Sequence, residues 1–283
     1  MSRVCIVFDR LRTEEKMLQK EAAGLGYECI MCDAKTAQID TEKKAGDDFG
    51  DVALERCVSY FRGLHFTMCL EFLDVPVINE FAVASVCGDK MFMTARLKKS
   101  GIPTPKTYFT FSGQAAAENA KKVGYPLVIK PVIGSWGRGV MPIRDDDAMD
   151  GILEIRGVTD GPHDRIYYLQ EMIKRPPRDI RVITVGDQPV AAMYRKSAGF
   201  KTNLALDGQP ELCKITGEMG ELAARASQAV GGGILGVDMM EDESRGLLVH
   251  EVNNTVEFKG IAKVAEQNIP KKMIEFAMNL ARK

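Results

Sequence analysis

Val237–Asn253 reads VDMMEDESRGLLVHEVN, two apolar segments separated by Asp242, Glu243, Ser244, Arg245 and Gly246. Those five residues are turn formers, and the flanks alternate enough to be paired strands. If the hairpin folds near Ser244 and Arg245, Asp238 and Glu251 fall at mirror positions and face each other across the ladder. Glu251 and Asn253 share a strand face, because side chains alternate with period two. Three oxygen ligands then converge on one point of an otherwise apolar sheet. Carboxylates that close repel each other and lose hydration, so a hard divalent cation is their natural partner; Mg²⁺ is commonly held by one or two carboxylates plus substrate phosphates. Taken alone, the segment reads equally as an exposed hairpin with solvated acids.

The rest of the chain bounds the choice. Its 283 residues, 45% hydrophobic and 27% charged, describe a globular protein with a substantial core, as one large domain or two to three smaller ones. A net charge of −1 argues against bulk electrostatic binding to nucleic acid or an anionic membrane. No apolar run reaches membrane-spanning length. The start, MSRVCIVFDR, has too short an apolar core for a signal peptide and reads as a buried strand. Seven cysteines without framework spacing suit reduced thiols in a cytoplasmic protein. Cys29 and Cys32 form a CxxC, but in a strand they point to opposite faces, which favours core packing over a metal.

A strand at Val4–Phe8, a helix from about Glu14 to Leu25 and a strand at Tyr27–Cys32 make a βαβ opening. The polar stretch Thr41–Asp51 reads as a loop, followed by a weaker helix and strand, and Val75–Ile78 as a further buried strand. The first domain closes shortly after Ser85, which gives units of about 1–88 and 89–283. The second divides into a lid of about 105–169 and a C-terminal part of about 170–283. Its expected elements are a helix from Asp89 to Gly101, a helix between Ser112 and Gly124, and a strand at Leu127–Lys130. Strands at Ile166–Ile173, Ile180–Val185 and Val190–Arg195 are expected in one antiparallel sheet, and a helix from Glu218 to Val230 precedes the hairpin.

Gly134, Ser135, Trp136, Gly137, Arg138, Gly139 and Val140 follow a strand that ends in Lys130. Three glycines in six residues let backbone N–H groups approach an anion and let the loop move. The segment is no Walker motif, since no Gly-Lys-Ser/Thr follows. A lysine buried at a strand end needs an anionic partner or loses its proton. Trp136 reads equally as an anchor that packs the loop down.

Asp89-Lys90, YPLVIKP, GSWGRGV, LQEMIKRPPRDIR, YRKS, TN, VD and EVN, in that order, resemble the ATP-grasp ligases over essentially the whole chain. The opening FDRLRTEEKML and the ending EVNNTVEFKG are similar to the branch, related to the ribosomal-protein S6 glutamyl ligases, that attaches α-aminoadipate or glutamate to the amino-group carrier protein LysW. The resemblance implies an α/β ATP-grasp fold with an N-terminal Rossmann-like pre-ATP-grasp domain, and ATP and Mg²⁺ as cofactors. It implies that Lys90 and Lys130 hold the nucleotide phosphates under a cover formed by Gly134–Val140. The segment from Gln170, Glu171, Met172, Ile173 and Lys174 through Asp179 to Arg181 would line adenine and ribose, with Arg181 reaching toward phosphate. Arg195 and Asn203 would meet the terminal phosphates, Asp238, Glu251 and Asn253 would ligate Mg²⁺, and Arg181 and Arg195 would be catalytic. Two lysines, two arginines and a divalent metal are what a transferring phosphoryl group requires.

The implied reaction is attack of a carboxylate on the γ-phosphate, then displacement of phosphate from the acyl phosphate by an amine. The carboxylate would be the C-terminal glutamate of a small acidic carrier, and the enzyme is expected as a homo-oligomer, dimer or tetramer. Leu204, Ala205, Glu257, Phe258, Lys259, Gly260 and Ile261 would contact the amino acid. Glutamate-specific members of the branch carry Gly-Phe after FK, and α-aminoadipate members a polar Asn-Ser or Asn-Thr. Gly260-Ile261 therefore points to glutamate and arginine biosynthesis, with Ile261 shortening the pocket; α-aminoadipate and lysine biosynthesis, or dual use, is the alternative. An S6-type glutamyl ligase differs in acceptor alone, and a noncatalytic carrier-binding module would have no reason to keep all three metal ligands. Arg10, Arg12 and Lys16 form the basic patch expected to meet the carrier, interrupted by Glu14 and Glu15.

Overall fold

The structure is a computed structural model that describes residues 2–42, 48–159, 161–196, 210–263 and 265–282. In the N-terminal sheet, β1 (Arg3–Phe8) lies between β2 (Glu28–Asp33) and β3 (Val52–Glu55), and β4 (Val77–Ile78) follows β3; all pairings are parallel. A central parallel strand is covered on both faces, which is why β1 carries the unbroken apolar run VCIV. On one face α1 (Thr13–Gly24) and the last helix, α8 (Ile269–Leu280), bring Leu18, Ala22, Ile269 and Met273 onto Val4 and Ile6. On the other, α2 (Tyr60–Phe72) brings Phe66 and Leu70 onto Cys5 and Val7. Cys29 packs with the first cluster and Cys32 with the second, as a period of two requires. After the loop the strand β3 precedes the helix α2, the reverse of the expected order. Four consecutive buried residues, VALE, show no period by which a strand could be told from a helix.

Helices α3 (Phe81–Gly88) and α4 (Lys90–Lys99) follow, and the Asp89 carboxylate caps α4 by accepting from the Met91 and Phe92 amides at 2.8 and 3.1 Å. The next sheet has the order β5 (Thr107–Thr110), β8 (Tyr167–Glu171), β6 (Leu127–Lys130), β7 (Met141–Ile143), with α5 (Gly113–Val123) and α6 (Asp146–Val158) packed on it. Ser112 caps α5 and Gly124 closes it at φ 89°, both as the sequence suggests. The segment Ile166–Ile173 was expected beside Ile180–Val185; β8 instead pairs with β5 and β6. Pro176 and Pro177, which lack the N–H a ladder needs, break the chain between the two sheets. The expected division at 169/170 thus falls inside β8.

The third sheet has the order β11 (Pro210–Leu212), β10 (Gln188–Lys196), β9 (Arg178–Val185), β12 (Ile234–Asp242), β13 (Gly246–Asn253), all antiparallel. Met93 and Leu97 of α4, with Leu222 and Ala226 of α7 (Gly217–Val230), cover one face through Val182, Val237 and Val249. The other face, with Ile183 and Met193, joins the cluster under α8 and α1, so one core runs from the N-terminal sheet into the third. No described helix is long and apolar enough to cross a membrane.

Candidate active site

The β12–β13 ladder closes with Asp242 opposite Gly246 and runs regularly to Met239 opposite Val249; the next pair is Asp238 with Glu251. His250 is an extra residue, a β-bulge. Counted back from the turn without a bulge, Asp238 would sit opposite His250. The expected pair of acids is present because the bulge restores it.

Asp238 is 1% exposed and surrounded by donors. Arg181 Nε and Nη2 donate to its two oxygens at 2.7 and 2.8 Å, Arg195 Nη2 lies 2.9 Å from Oδ2, and Asn253 Nδ2 donates to the same oxygen at 3.1 Å. Arg195 also grips Asp179 with two bonds of 2.6 and 2.8 Å. Arg181, Asp238, Arg195 and Asp179 thus alternate in sign across three adjacent strands. Burial disfavours the Asp238 carboxylate, but Arg181 and Arg195 overcome it and hold the carboxyl well below its usual range. Burial likewise works against the Arg195 charge, and Asp238 and Asp179 more than restore it.

Glu251 is less engaged, with a side chain 27% exposed and Lys90 Nζ at 3.4 Å. Lys90 also donates to the Gly134 carbonyl at 2.6 Å, which ties α4 to the glycine loop. Lys130 Nζ donates to Gln170 Oε1 at 2.7 Å. Burial pushes its ammonium down to about 8; Glu251 opposes the shift, and Lys90 and Arg175 add to it. The His250 imidazole is held neutral, first by burial and then by Lys130, against the pull of Asp238.

Lys90, Lys130, Asp179, Arg195, His250 and Glu251 line one cavity between the second and third sheets, whereas Asp238 and Asn253 are not part of its wall. Its walls include Lys90, Lys130, Gly134, Ser135, Trp136, Gly137, Arg138, Val140, Gln170, Glu171, Met172, Ile173, Asp179, Arg195 and Glu251 from the sequence-based set. Positive φ at Gly134, Gly137 and Gly139, of 150°, 66° and 68°, shows why glycine recurs in the loop. Trp136 carries the Arg138 guanidinium over its ring at 5.1 Å. Three expectations are corrected here. Lys174 does not line the cavity, because its side chain is 84% exposed and paired with Glu243. Arg181 lies behind Asp238 instead of on the wall. Gln170 is not free to read a base edge, since it also donates to Thr107 Oγ1 and Tyr168 OH at 3.0 and 2.9 Å. Asn203, Leu204 and Ala205 lie outside the described residues. Arg175, Pro176 and Pro177, within the segment expected to line adenine and ribose, line the cavity too, and Val128, Met240 and His250 line it without having been anticipated. His250 depends on a bulge that no local signal encodes.

The segment after Asn253 is fixed to the N-terminal domain. Buried Arg56 donates to the Val256 carbonyl at 2.9 Å and lies 5.6 Å over the Phe258 ring. The Lys259 amide donates to Glu14 Oε1 at 3.3 Å, and Glu257 meets Arg12 at 3.6 Å. Phe258 and Ile261 are both fully buried in the core with Ile269 and Met273, and Ile261 starts a 3₁₀ turn that ends at Lys263. Ile261 is therefore a packing residue, which removes it as the wall of an open pocket. Arg12 is no free member of a basic patch either. Its backbone amide and guanidinium both donate to the Glu15 carboxylate at 2.8 Å, and it donates to the Arg56 carbonyl, while Glu14 and Glu15 are buried. Arg10 and Lys16 remain exposed.

The RimK-like ATP-grasp domain family matches residues 87–277, and the LysX preATP-grasp domain family matches residues 4–86. The α-aminoadipate–LysW ligase LysX of Saccharolobus solfataricus is 37% identical over 96% of this chain and 99% of its own. The glutamate–LysW ligase ArgX of Sulfurisphaera tokodaii is 32% identical over 97% of each chain. A RimK domain ATP-grasp protein of Sphaerobacter thermophilus superposes with a TM-score of 0.81 at 23% identity, over 98% of this chain and 100% of that one, a likeness of fold. The chain accordingly belongs to the RimK-like ATP-grasp ligases of the LysX/ArgX type, ATP-dependent enzymes that join a carboxylate to an amine.

Proposed function

We propose that this enzyme joins the α-amino group of α-aminoadipate to the C-terminal glutamate carboxylate of an acidic LysW-type carrier, with ATP and Mg²⁺, in lysine biosynthesis. The observation that carries the reading is the likeness to α-aminoadipate–LysW ligases along nearly the whole of both chains, at higher identity than to the glutamate ligases. The argument for glutamate rested on Ile261 as a pocket wall, and it lapses with that side chain in the core. Competition of glutamate and α-aminoadipate for one pool of purified carrier, followed by intact mass, tests the choice. A carrier that gains mainly α-aminoadipate supports it; one that gains mainly glutamate overturns the substrate and leaves the ligase chemistry.

In this reading Lys90 and Lys130 hold the phosphates, Gly134–Val140 closes over them, and Met172 and Ile173 flank the base. Arg195 balances charge on the transferred phosphoryl group, and Arg181 keeps Asp238 ionised. Asp238 and Glu251, with the Asn253 amide, form a hard oxygen donor set on one sheet face that fits Mg²⁺. Among the described residues no cluster of three or more His, Cys, Asp or Glu could hold a metal, so phosphate and water would complete the shell. Mg²⁺ held there would neutralise the phosphates and orient in-line transfer. The carrier carboxylate attacks the γ-phosphate and expels ADP, and the amine of the amino acid then displaces phosphate from the acyl phosphate and gives up a proton to form the amide. The closed glycine loop keeps water from the acyl phosphate in between.

A further inference from the structure

The bulge in β13 turns one additional side chain toward the cavity. Val249 pairs with Met239 and packs in the core, and Glu251 pairs with Asp238. His250, between them, has no opposite residue, and it joins Lys130, Arg195 and Glu251 among the residues of the cavity wall. Both ring nitrogens are buried, and neither has a hydrogen-bond partner among the described residues. Buried polar atoms are normally paired, and an imidazole has an N–H donor in every tautomer. Bulges of this kind recur beside active sites because they re-aim a side chain. Lys130 and Arg195, in the same wall, would draw an anionic ligand to this part of the cavity.

We propose that His250 donates an N–H hydrogen bond to a phosphate oxygen of the bound adenine nucleotide, which makes it a further binding residue of the ligase. The inference rests on the reading of the cavity as the ATP site. Titration of ADP and of adenosine into the full chain, with EDTA present, tests it through His250→Phe, which fills the space without a donor, and His250→Asn, which keeps one. Loss of a hydrogen bond to a charged acceptor should weaken ADP by about tenfold or more in His250→Phe, with adenosine affinity within about twofold of wild type. His250→Asn should retain most of the ADP affinity. His250→Ala, which adds no bulk, should split ADP from adenosine in the same way. Unchanged ADP affinity in the Phe and Ala variants would overturn the proposal, as would equal weakening of ADP and adenosine. A loss that appears only when Mg²⁺ replaces EDTA would overturn it in favour of a contact through the metal. A wild-type chain that binds neither ligand would remove the nucleotide reading itself, and the role of His250 with it.

Discussion

The β12–β13 hairpin and the segment Val256–Ile261 just beyond it are neighbours in sequence, yet their charged partners do opposite work. At the hairpin, Arg181, Asp238, Arg195 and Asp179 hold one another so that Arg195 and Asp179 face a cavity. Around Val256–Ile261, Arg56 and Glu14 bind the backbone, and the side chains of Val256, Phe258 and Ile261 enter the core. The first region is arranged for chemistry and the second for attachment. Substitution of the cavity-facing Glu251 should change turnover with little change in stability, and substitutions in the second region the reverse.

The largest effect is expected on the attachment side. Glu15 is the acid that faces both Arg12 and buried Arg56. Glu15→Leu strands the Arg56 charge and should cost about 3 kcal/mol or more, read from denaturant unfolding. An unchanged midpoint would break the comparison. Ile261→Ser should cost about 3 kcal/mol through the core cavity it leaves, and should slow ligation of glutamate and α-aminoadipate alike. A switch of preference between the two at full stability would return Ile261 to the pocket wall.

On the chemical side, Glu251→Gln should lower kcat by about a hundredfold or more while the unfolding midpoint stays that of wild type. Wild-type turnover at ordinary Mg²⁺ would remove Glu251 from the metal site. A subtler effect follows from Lys130, whose ammonium is pushed down to about 8. A polyanion favours the charged form, so nucleotide affinity should be steady below that pH. Above it, binding must first return the proton to a neutral amine, and affinity should fall by up to about tenfold per pH unit. Lys130→Met should abolish the dependence, and a persistent slope would assign it to another group. The smallest effect concerns Gly134–Val140, whose amides should exchange more slowly with an ATP analogue bound. Equal exchange in both states would make the segment a static turn.

The same contrast explains what the sequence discloses. Charged residue types and their spacing suggested Lys130 and the Asp238–Glu251 pair, because burial of such groups needs partners, whereas Lys90 and Arg195 came only from the resemblance to the ATP-grasp ligases. The hairpin register came out as expected through two compensating features: a turn centred earlier than Ser244–Arg245 and a bulge that adds His250. No residue of LLVHEVN marks the bulge, so the sequence does not single out His250. The sheet membership of Tyr167–Glu171 was hidden for a similar reason, since strand pairing is a long-range choice that local alternation does not encode. Phe258 and Ile261 were misplaced because an apolar residue after a motif looks the same whether it faces a substrate or α8.

ADP release from Mg·ATP, measured with neither acceptor, with carrier alone, with amino acid alone and with both, tests the central claim most directly. The account predicts rapid, sustained release only when carrier and amino acid are present together. Release that is equally fast without the carrier would contradict it.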